Sequence, residues 1–555
     1  MFCKERWSSS DLHLFRLLLV LLLNTRLHLA MISTPLATGV IGVAIIFFLH
    51  SIISPLLNGP LARIPGPKIY ALTKWRLALD DWKGTRTCRI YEIHKRYGPV
   101  VRLGPNEVAF NSLSALRTIY GAGSGFERTS FYSMFDVYTK KNLFTFGSVR
   151  EHSQRKRLLA HAYSKSAITK RSSTMIEEKV LDYLNLIEKD PESAKELFSS
   201  LHYFSLDSIT DFVYGNFGRT KCLKGANRDL LNDILDTDRQ RLSWFVVHLP
   251  SFTKWLYSTT GAMEPFLRKL YPMSKPTTYT GIRAHALDAW HSFKDSSNDS
   301  KEAQQYTILG NLWQSHNSLK DNGLDDMEIA SECADHLLAG IDTTSDSLMF
   351  MIWALSRPES LKFQRKLQEE IRSMPADLFN ADGIASVETC DKLRYLDAVI
   401  KETLRIYAPL PASEPRSLPA ESIIDGYAIP PRTAVSMSPY SIHRNAQVFE
   451  NPASFNPDRW LGEEEDVAEL NRWFWAFSSG ARMCIGMHLA MAEMTTLATA
   501  LYRRYSTSLK PSFHGISPGA TSRFEVLSDA THSKVALPRI NFEQEHKCYI
   551  SFDKM

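Results

Sequence analysis

The chain has 555 residues, enough for several average domains or one large enzyme, and 44% of them are hydrophobic, which supplies a full core. A net charge of only +5, with no long Lys/Arg block, argues against a nucleic-acid binder. The seven cysteines (Cys3, Cys88, Cys222, Cys333, Cys390, Cys484, Cys548) are scattered and form no Cys-x-x-Cys pair. That pattern argues against a zinc ribbon or a disulfide framework and fits a reducing compartment.

Two apolar runs open the chain. Leu12 to Leu23 is short and contains His13 and Arg16, whereas Ile32 to Leu57 carries no Asp, Glu, Lys or Arg. The second run is long enough to cross a hydrocarbon core as a helix. A cleaved signal peptide is the alternative for the first run, but an oxidising lumen suits the cysteine usage poorly. Met31 stands directly before the second run, so residues 1–31 read as an N-terminal extension that an upstream start would add. After the span come Arg63, Lys68, Lys74 and Arg76, with no acid until Asp80. Positive charge there places the body of the protein on the cytoplasmic side, although Lys4, Arg6, Arg16 and Arg26 weigh against it if the extension is kept. Ile64-Pro65-Gly66-Pro67 is a stiff, non-helical break. The expected organisation is an extension over 1–31, a transmembrane anchor over 32–57, a proline-rich hinge over 58–68 and a catalytic domain over 69–555.

Thr85 to Tyr97 has helical spacing and stops at Gly98-Pro99. Val100–Leu103 and Glu107–Phe110 flank Gly104-Pro105-Asn106 and predict a hairpin. Phe126 to Phe146 is crowded with Phe131, Tyr132, Phe135, Tyr138, Phe144 and Phe146, either core or the lining of a pocket. In the basic stretch that follows, His152 and Lys156 share one helix face. Leu201 to Asp211 predicts a buried helix, and the acidic run Glu463–Asp466 a solvated loop.

Asp325 to Leu355 is a long helical pattern with Ala339-Gly340-Ile341-Asp342-Thr343-Thr344 in its middle. Glycine there costs up to about 1 kcal/mol and threonine is also a poor helix former, so the placement needs a reason. Thr343 can bond back to a carbonyl and open a groove beside Gly340, and Asp342 supplies a titratable group. A further helix over Leu393–Tyr407 carries Glu402-Thr-Leu-Arg405, an acid and a base three residues apart. Finally, Phe477-Ser-Ser-Gly480-Ala-Arg482-Met-Cys484-Ile-Gly486 precedes a strong helix former run. A cysteine there has its thiolate stabilised by the helix dipole, and Arg482 offers a fork of donors for carboxylates. Glycines at 480 and 486 would let the backbone lie against a flat partner.

The last stretch resembles the haem-binding loop of the cytochrome P-450 family, Phe-x-x-Gly-x-Arg-x-Cys-x-Gly, at Phe477, Gly480, Arg482, Cys484 and Gly486. The order of the other segments is similar to that family over residues 60 to 540. The resemblance implies a mainly α fold with a helical haem domain, a small β-rich subdomain and an N-terminal transmembrane helix. It implies haem b with Cys484 as axial ligand, whose thiolate favours O–O cleavage. Thr343 would steady bound dioxygen and Asp342 relay protons. Arg482, Arg416, His152 and either Lys156 or Arg155 would hold the propionates, and the loop over Phe126–Phe146 would cover the substrate pocket. Glu402, Arg405 and Arg459 would form a buried charge network behind the haem, with Leu410 and Ala412 near the pocket.

The implied function is a membrane-anchored monooxygenase that inserts one oxygen atom from O2 into an apolar small molecule. The style of the chain resembles fungal microsomal members of secondary metabolism. Gly121-Ala-Gly-Ser-Gly125 falls short of a dinucleotide-binding pattern, so electrons must come from outside, as the resemblance implies from an NADPH-dependent flavoprotein reductase. The expected location is the endoplasmic reticulum membrane, single-pass, with the catalytic domain cytoplasmic. The alternatives are a haem-thiolate isomerase or dehydratase that needs no reductase, and a non-catalytic haem-binding membrane protein.

Overall fold

In the computed structural model the chain folds mainly as helices, with, among the described residues, a five-stranded mixed sheet and three two-stranded ones. The structure describes residues 59–233, 237–258, 281–302, 304–319, 324–522, 525–529 and 546–555, with residue 265 and scattered positions between 39 and 50. The expected membrane span over 32–57 lies outside the described residues, apart from a few of its positions. Among the described residues no helix is long and apolar enough to cross a membrane.

Helix α1 (Arg86–Tyr97) ends at Gly98, whose φ of 101° suits glycine. Strands β1 (Val100–Gly104) and β2 (Glu107–Phe110) then form the expected hairpin, with Val100 opposite Phe110. The hinge residue Pro65 accepts a bond from the Arg102 N–H at 2.8 Å, and a Cβ on Gly66 would come within 2.7 Å of the Arg102 carbonyl oxygen. Glycine at 66 therefore lets the hinge lie against β1.

Chain order and sheet order then diverge. After α2 (Leu113–Tyr120) comes the short β3 (Glu127–Arg128). Its partner β4 (Arg416–Ser417), and β7 (Ala434–Ser436) that pairs with β4, arrive some 300 residues later. The order is β1-β2-β7-β4-β3, with β2 and β7 parallel and the remaining pairs antiparallel. A separate hairpin of β5 (Ser422–Ile424) and β6 (Tyr427–Ile429) lies between β4 and β7 in sequence.

The helical core is built on α6 (Asp326–Leu355), 30 residues long. Asp325 caps it and closes a capping box with Glu328, which satisfies free N–H groups at its start. Against it packs α5 (Leu197–Tyr214), buried along almost its whole length. The contact point is Gly340, where a Cβ would come within 2.5 Å of Ile209 Cγ1. Mid-helix glycine is thus the price of close helix approach, and the groove expected beside Gly340 is filled by Ile209. Around this pair lie α3 (Val149–Leu159), α4 (Ser173–Lys189), α7 (Leu361–Arg372), α8 (Arg394–Ile406) and α9 (Met487–Arg504). The acidic run expected as a loop instead opens a helix over Glu464–Trp473, where three acids in the first turn complement the dipole.

Candidate functional site

The cysteine loop is a closed turn. The Cys484 N–H donates to the Phe477 carbonyl at 2.9 Å, and Ser478 holds a positive φ of 57° within it. Gly480 also needs a positive φ, 64°, and a Cβ there would collide with the Tyr120 carbonyl oxygen. Backbone approach to α2 therefore requires glycine at this position. Gly486 caps α9, and a Cβ there would meet only ordinary contacts at 3.9 Å and beyond. Cys484 has exposed surface, yet protein surrounds it closely enough that burial pushes its thiol up, opposed by the Gly486 N–H and Lys156.

Tyr120 pins this loop to the sheet. Its carbonyl accepts from Ser479 Oγ at 3.2 Å, and its hydroxyl accepts from the Met437 N–H at 3.0 Å and donates to the Glu414 carbonyl. Its ring meets Trp475 edge-on at 4.6 Å.

On α6, Ser345 through Leu355 and much of the first half are buried. Beyond its first turn, exposed surface remains on Gly340 and on Asp335, Leu338, Ala339, Asp342 and Thr343, the last five forming one stripe at three- and four-residue spacing. Thr343 Oγ1 donates to the Ala339 carbonyl at 2.8 Å, the expected back-bond. Burial pushes the Asp335 carboxyl up to about 7. Tyr163 links this helix to the cysteine loop: its hydroxyl lies 3.0 Å from His336 Nδ1 on α6, and its ring stands 4.0 Å from a Cβ built on Gly486.

Cations crowd around the cysteine loop. Arg128 and Arg416 stand directly opposite each other across β3 and β4, a like-charge pair that opposes pairing. Burial, then Arg128 and Arg416, pull Arg482 down to about 9, and burial with Arg416 pulls Arg128 to about 10. Burial and the Arg482, Arg128 and Lys156 charges depress His152 to about 3. Arg482 donates to the Phe146 and Gly147 carbonyls at 2.8 and 2.6 Å, while Arg416 binds Tyr132 at 2.5 Å and Glu414 at 3.0 Å. Lys156 donates to the Ala481 carbonyl at 2.8 Å, and Arg155 instead turns to buried Glu332. The choice left open in the sequence thus goes to Lys156 as the residue beside the loop. Arg128 was not singled out in the sequence. Its Nε is buried with no hydrogen-bond partner among the described residues. Arg128, Arg482, His152 and Lys156, each pulled down by burial and by neighbouring cations, with an orphan guanidinium N–H and a thiol on the loop, are the donor set a dianionic, thiolate-ligated group requires. The site residues fit haem.

Behind the loop, Glu402 receives Arg405 at 2.8 and 2.9 Å, Arg459 at 3.0 Å, the Trp460 indole at 3.0 Å and the Asn456 N–H at 2.9 Å. Burial opposes the charge, but Arg405 and Arg459 hold Glu402 below its usual range. Removing one member of such a buried set typically costs about 3–5 kcal/mol. Asp458 lies outside it, paired with Lys366 at 2.7 Å. His443, unassigned from sequence, joins this network to the loop. Its Nδ1–H donates to the Arg405 carbonyl at 3.1 Å and its Nε2 accepts from the Trp475 N–H at 2.8 Å. Ala412 is buried, whereas Leu410 is 50% exposed. Phe131, Phe135 and Phe144 are half-buried and packed edge-on with Tyr132.

The sequence profile of the cytochrome P450 family matches residues 74–518, so the chain belongs to that family. It is 28% identical over 498 residues to the cytochrome P450 monooxygenase aflV of Aspergillus parasiticus, covering 89% of this chain and 93% of that one. Similar relatives are the cytochrome P450 monooxygenase stcB of Emericella nidulans, 29% identical over 80% of this chain and 82% of the relative, and cypX of Dothistroma septosporum, 27% identical over 85% and 90%. The chain is an enzyme of the monooxygenase class, and its cofactor is haem whose iron takes a cysteine ligand.

Proposed function

We propose that this enzyme is membrane-anchored through residues 32–57, with its catalytic domain on the cytoplasmic face of the endoplasmic reticulum. It oxygenates an apolar small molecule of fungal secondary metabolism, with electrons from an NADPH-dependent flavoprotein reductase. The observation that carries the reading is Cys484 on its closed loop, with Lys156 bound to the loop backbone and Arg482 beside the Arg128–Arg416 pair.

When bound, haem b supplies activation of dioxygen and transfer of one oxygen atom to substrate. Cys484 supplies the thiolate, which the Gly486 N–H and Lys156 favour against burial. Arg482, Arg128 and Arg416 take the propionates, which relieves their mutual repulsion, and His152 with Lys156 supports them from α3. Thr343 and Asp342 hold hydroxyl and carboxyl at the cavity for proton delivery, and Phe131, Phe135 and Phe144 exclude water and give an apolar lining. The relatives named as fungal monooxygenases support the class.

The test is the reduced carbon-monoxide difference spectrum of membranes expressing the chain, beside Cys484→Ala. A far-red-shifted Soret band, lost in the variant, is the expected result. A Soret at the ordinary position, or no haem in folded protein, overturns the assignment of Cys484.

A further inference from the structure

The close approach of α5 to α6 at Gly340 has a second product. Seven residues before Ile209, on the same face of α5, is His202, 1% exposed. Its Nδ1 lies 2.7 Å from the Phe198 carbonyl oxygen and its Nε2 lies 3.5 Å from Asp342 Oδ1. The Asp342 side chain is 44% exposed, on the stripe that the proposed function turns toward the cofactor. Asp346, one turn on, is buried, and its Oδ1 has no hydrogen-bond partner among the described residues.

These contacts fix a proton count. A carbonyl only accepts, so His202 Nδ1 carries a hydrogen at all times and Nε2 is the atom that titrates. The Nε2–Oδ1 contact needs a proton on the pair and is strongest with one, either as imidazolium with carboxylate or as imidazole with carboxylic acid. A second proton reduces it to a bond from imidazolium to an uncharged carboxyl oxygen, and none leaves two facing lone pairs.

We propose that His202 is a positioning residue that stores one proton behind Asp342. The monooxygenase reaction, RH + O2 + 2H⁺ + 2e⁻ → ROH + H2O, consumes two protons that a water-excluding cavity must obtain from its walls. The proton on Nε2 passes to Asp342 Oδ1, leaving neutral imidazole and a carboxylic acid. The acid gives its proton to an acceptor in the cavity and returns to carboxylate. The pair reloads between turnovers by protonation of Asp342 through its exposed side.

The charged and titratable groups around His202 favour this. Burial opposes its charged form, but the bond to Asp342 and the charges of Asp346 and Asp342 raise its pKa overall. Burial pushes Asp346 up to about 8, with Asp342 adding and His202 opposing, so around neutral pH Asp346 is largely uncharged and the dyad carries the exchangeable proton. From the C-terminal segment, His546 packs on the Phe198 ring at 4.9 Å, and Phe198 in turn lies 4.1 Å from the His202 ring. No cation appears among the groups that shift His202.

The inference rests on the assignment of Asp342 to proton delivery, and the test separates the two. In the haem-loaded enzyme with reductase, His202→Gln keeps a side-chain amide but cannot titrate. Its product per NADPH should fall severalfold, with peroxide rising to match. Substrate affinity from the spectral shift should stay unchanged, and the solvent deuterium isotope effect on product formation should grow. The decline of coupling as pH rises above about 6.5, the ordinary histidine value, should be lost. Unchanged coupling and pH profile in His202→Gln, with coupling lost in Asp342→Asn, overturns the storage role alone. Unchanged coupling in Asp342→Asn overturns the functional reading beneath it. Independently of turnover, ¹⁵N NMR of labelled histidine in the ferrous carbon-monoxide form should show one imidazole with Nδ1 always protonated and Nε2 titrating above about 6.5. That titration should move down in Asp342→Asn. A His202 resonance that does not titrate, or that ignores Asp342→Asn, overturns the proposal even if His202→Gln fails to fold.

Discussion

At the scale of single residues, hydrogen-bond bookkeeping decides roles. Thr343 spends its hydroxyl proton on the Ala339 carbonyl, which leaves its oxygen lone pairs toward the cavity as acceptors. Thr343→Ala should keep its carbon-monoxide spectrum while peroxide replaces product. Tight coupling in that variant would remove Thr343 from oxygen handling. His443 is a different case, a histidine kept neutral by structure. Burial and the Arg405 and Arg444 charges depress it to about 3 from an ordinary 6.5. The unfolded chain therefore binds a proton in that window that the folded chain does not, and the stabilising share of His443 is lost as pH falls from about 6.5 towards about 3. Thermal unfolding of the holoenzyme from pH 7 down to pH 4 should show this acid limb, and His443→Gln should flatten it. Asp335 and Asp346 act with the opposite sign. Raised to about 7 and about 8, they stabilise the fold while protonated and cost stability as pH rises above the ordinary carboxylate value of 3.8.

At the scale of elements, what was readable from sequence was what local patterns encode. The hairpin at Gly104–Asn106, the buried helix around Leu201–Asp211 and the long helix capped at Asp325 all carry their signal within a few neighbouring residues. The acidic run at Glu463 was misread because charge alone does not distinguish a loop from the first turn of a helix. Gly340 was seen as anomalous, but its reason, the side chain of Ile209, lies more than a hundred residues away and leaves no local trace. The same holds for Arg128 opposite Arg416, and for His202, which in sequence is a lone histidine in an apolar helix. Gly340→Val would force branched carbons into Ile209, and overpacking of this kind typically costs about 1–3 kcal/mol. Chemical denaturation should record that loss, and the parting of the helices should also loosen the His202–Asp342 pair. A variant as stable as the parent would mean that α5 and α6 do not rely on the glycine.

At the scale of the whole molecule, the chain from Ile64 to Met555 forms one compact unit. Deleting residues 1–60 should leave a folded, haem-loaded protein that appears in the soluble fraction. Retention in membranes would mean that other surfaces also bind them. The catalytic class was legible because the cysteine loop concentrates five motif residues in ten positions, whereas substrate choice is spread over cavity-lining side chains from separate elements. Tyr120 sets a schedule for this molecule. The hydroxyl of Ser479 that it anchors is 359 residues later in the chain. At ribosomal rates of roughly 5–20 residues per second, that interval is on the order of 20–70 seconds of synthesis. Throughout it, Arg128 and the aromatic loop exist without the turn that brings the sulfur to them. Arg416, Arg482 and Cys484 are themselves made only near the close of that interval, so the cofactor site waits on the late part of synthesis for most of its charged groups and for its sulfur.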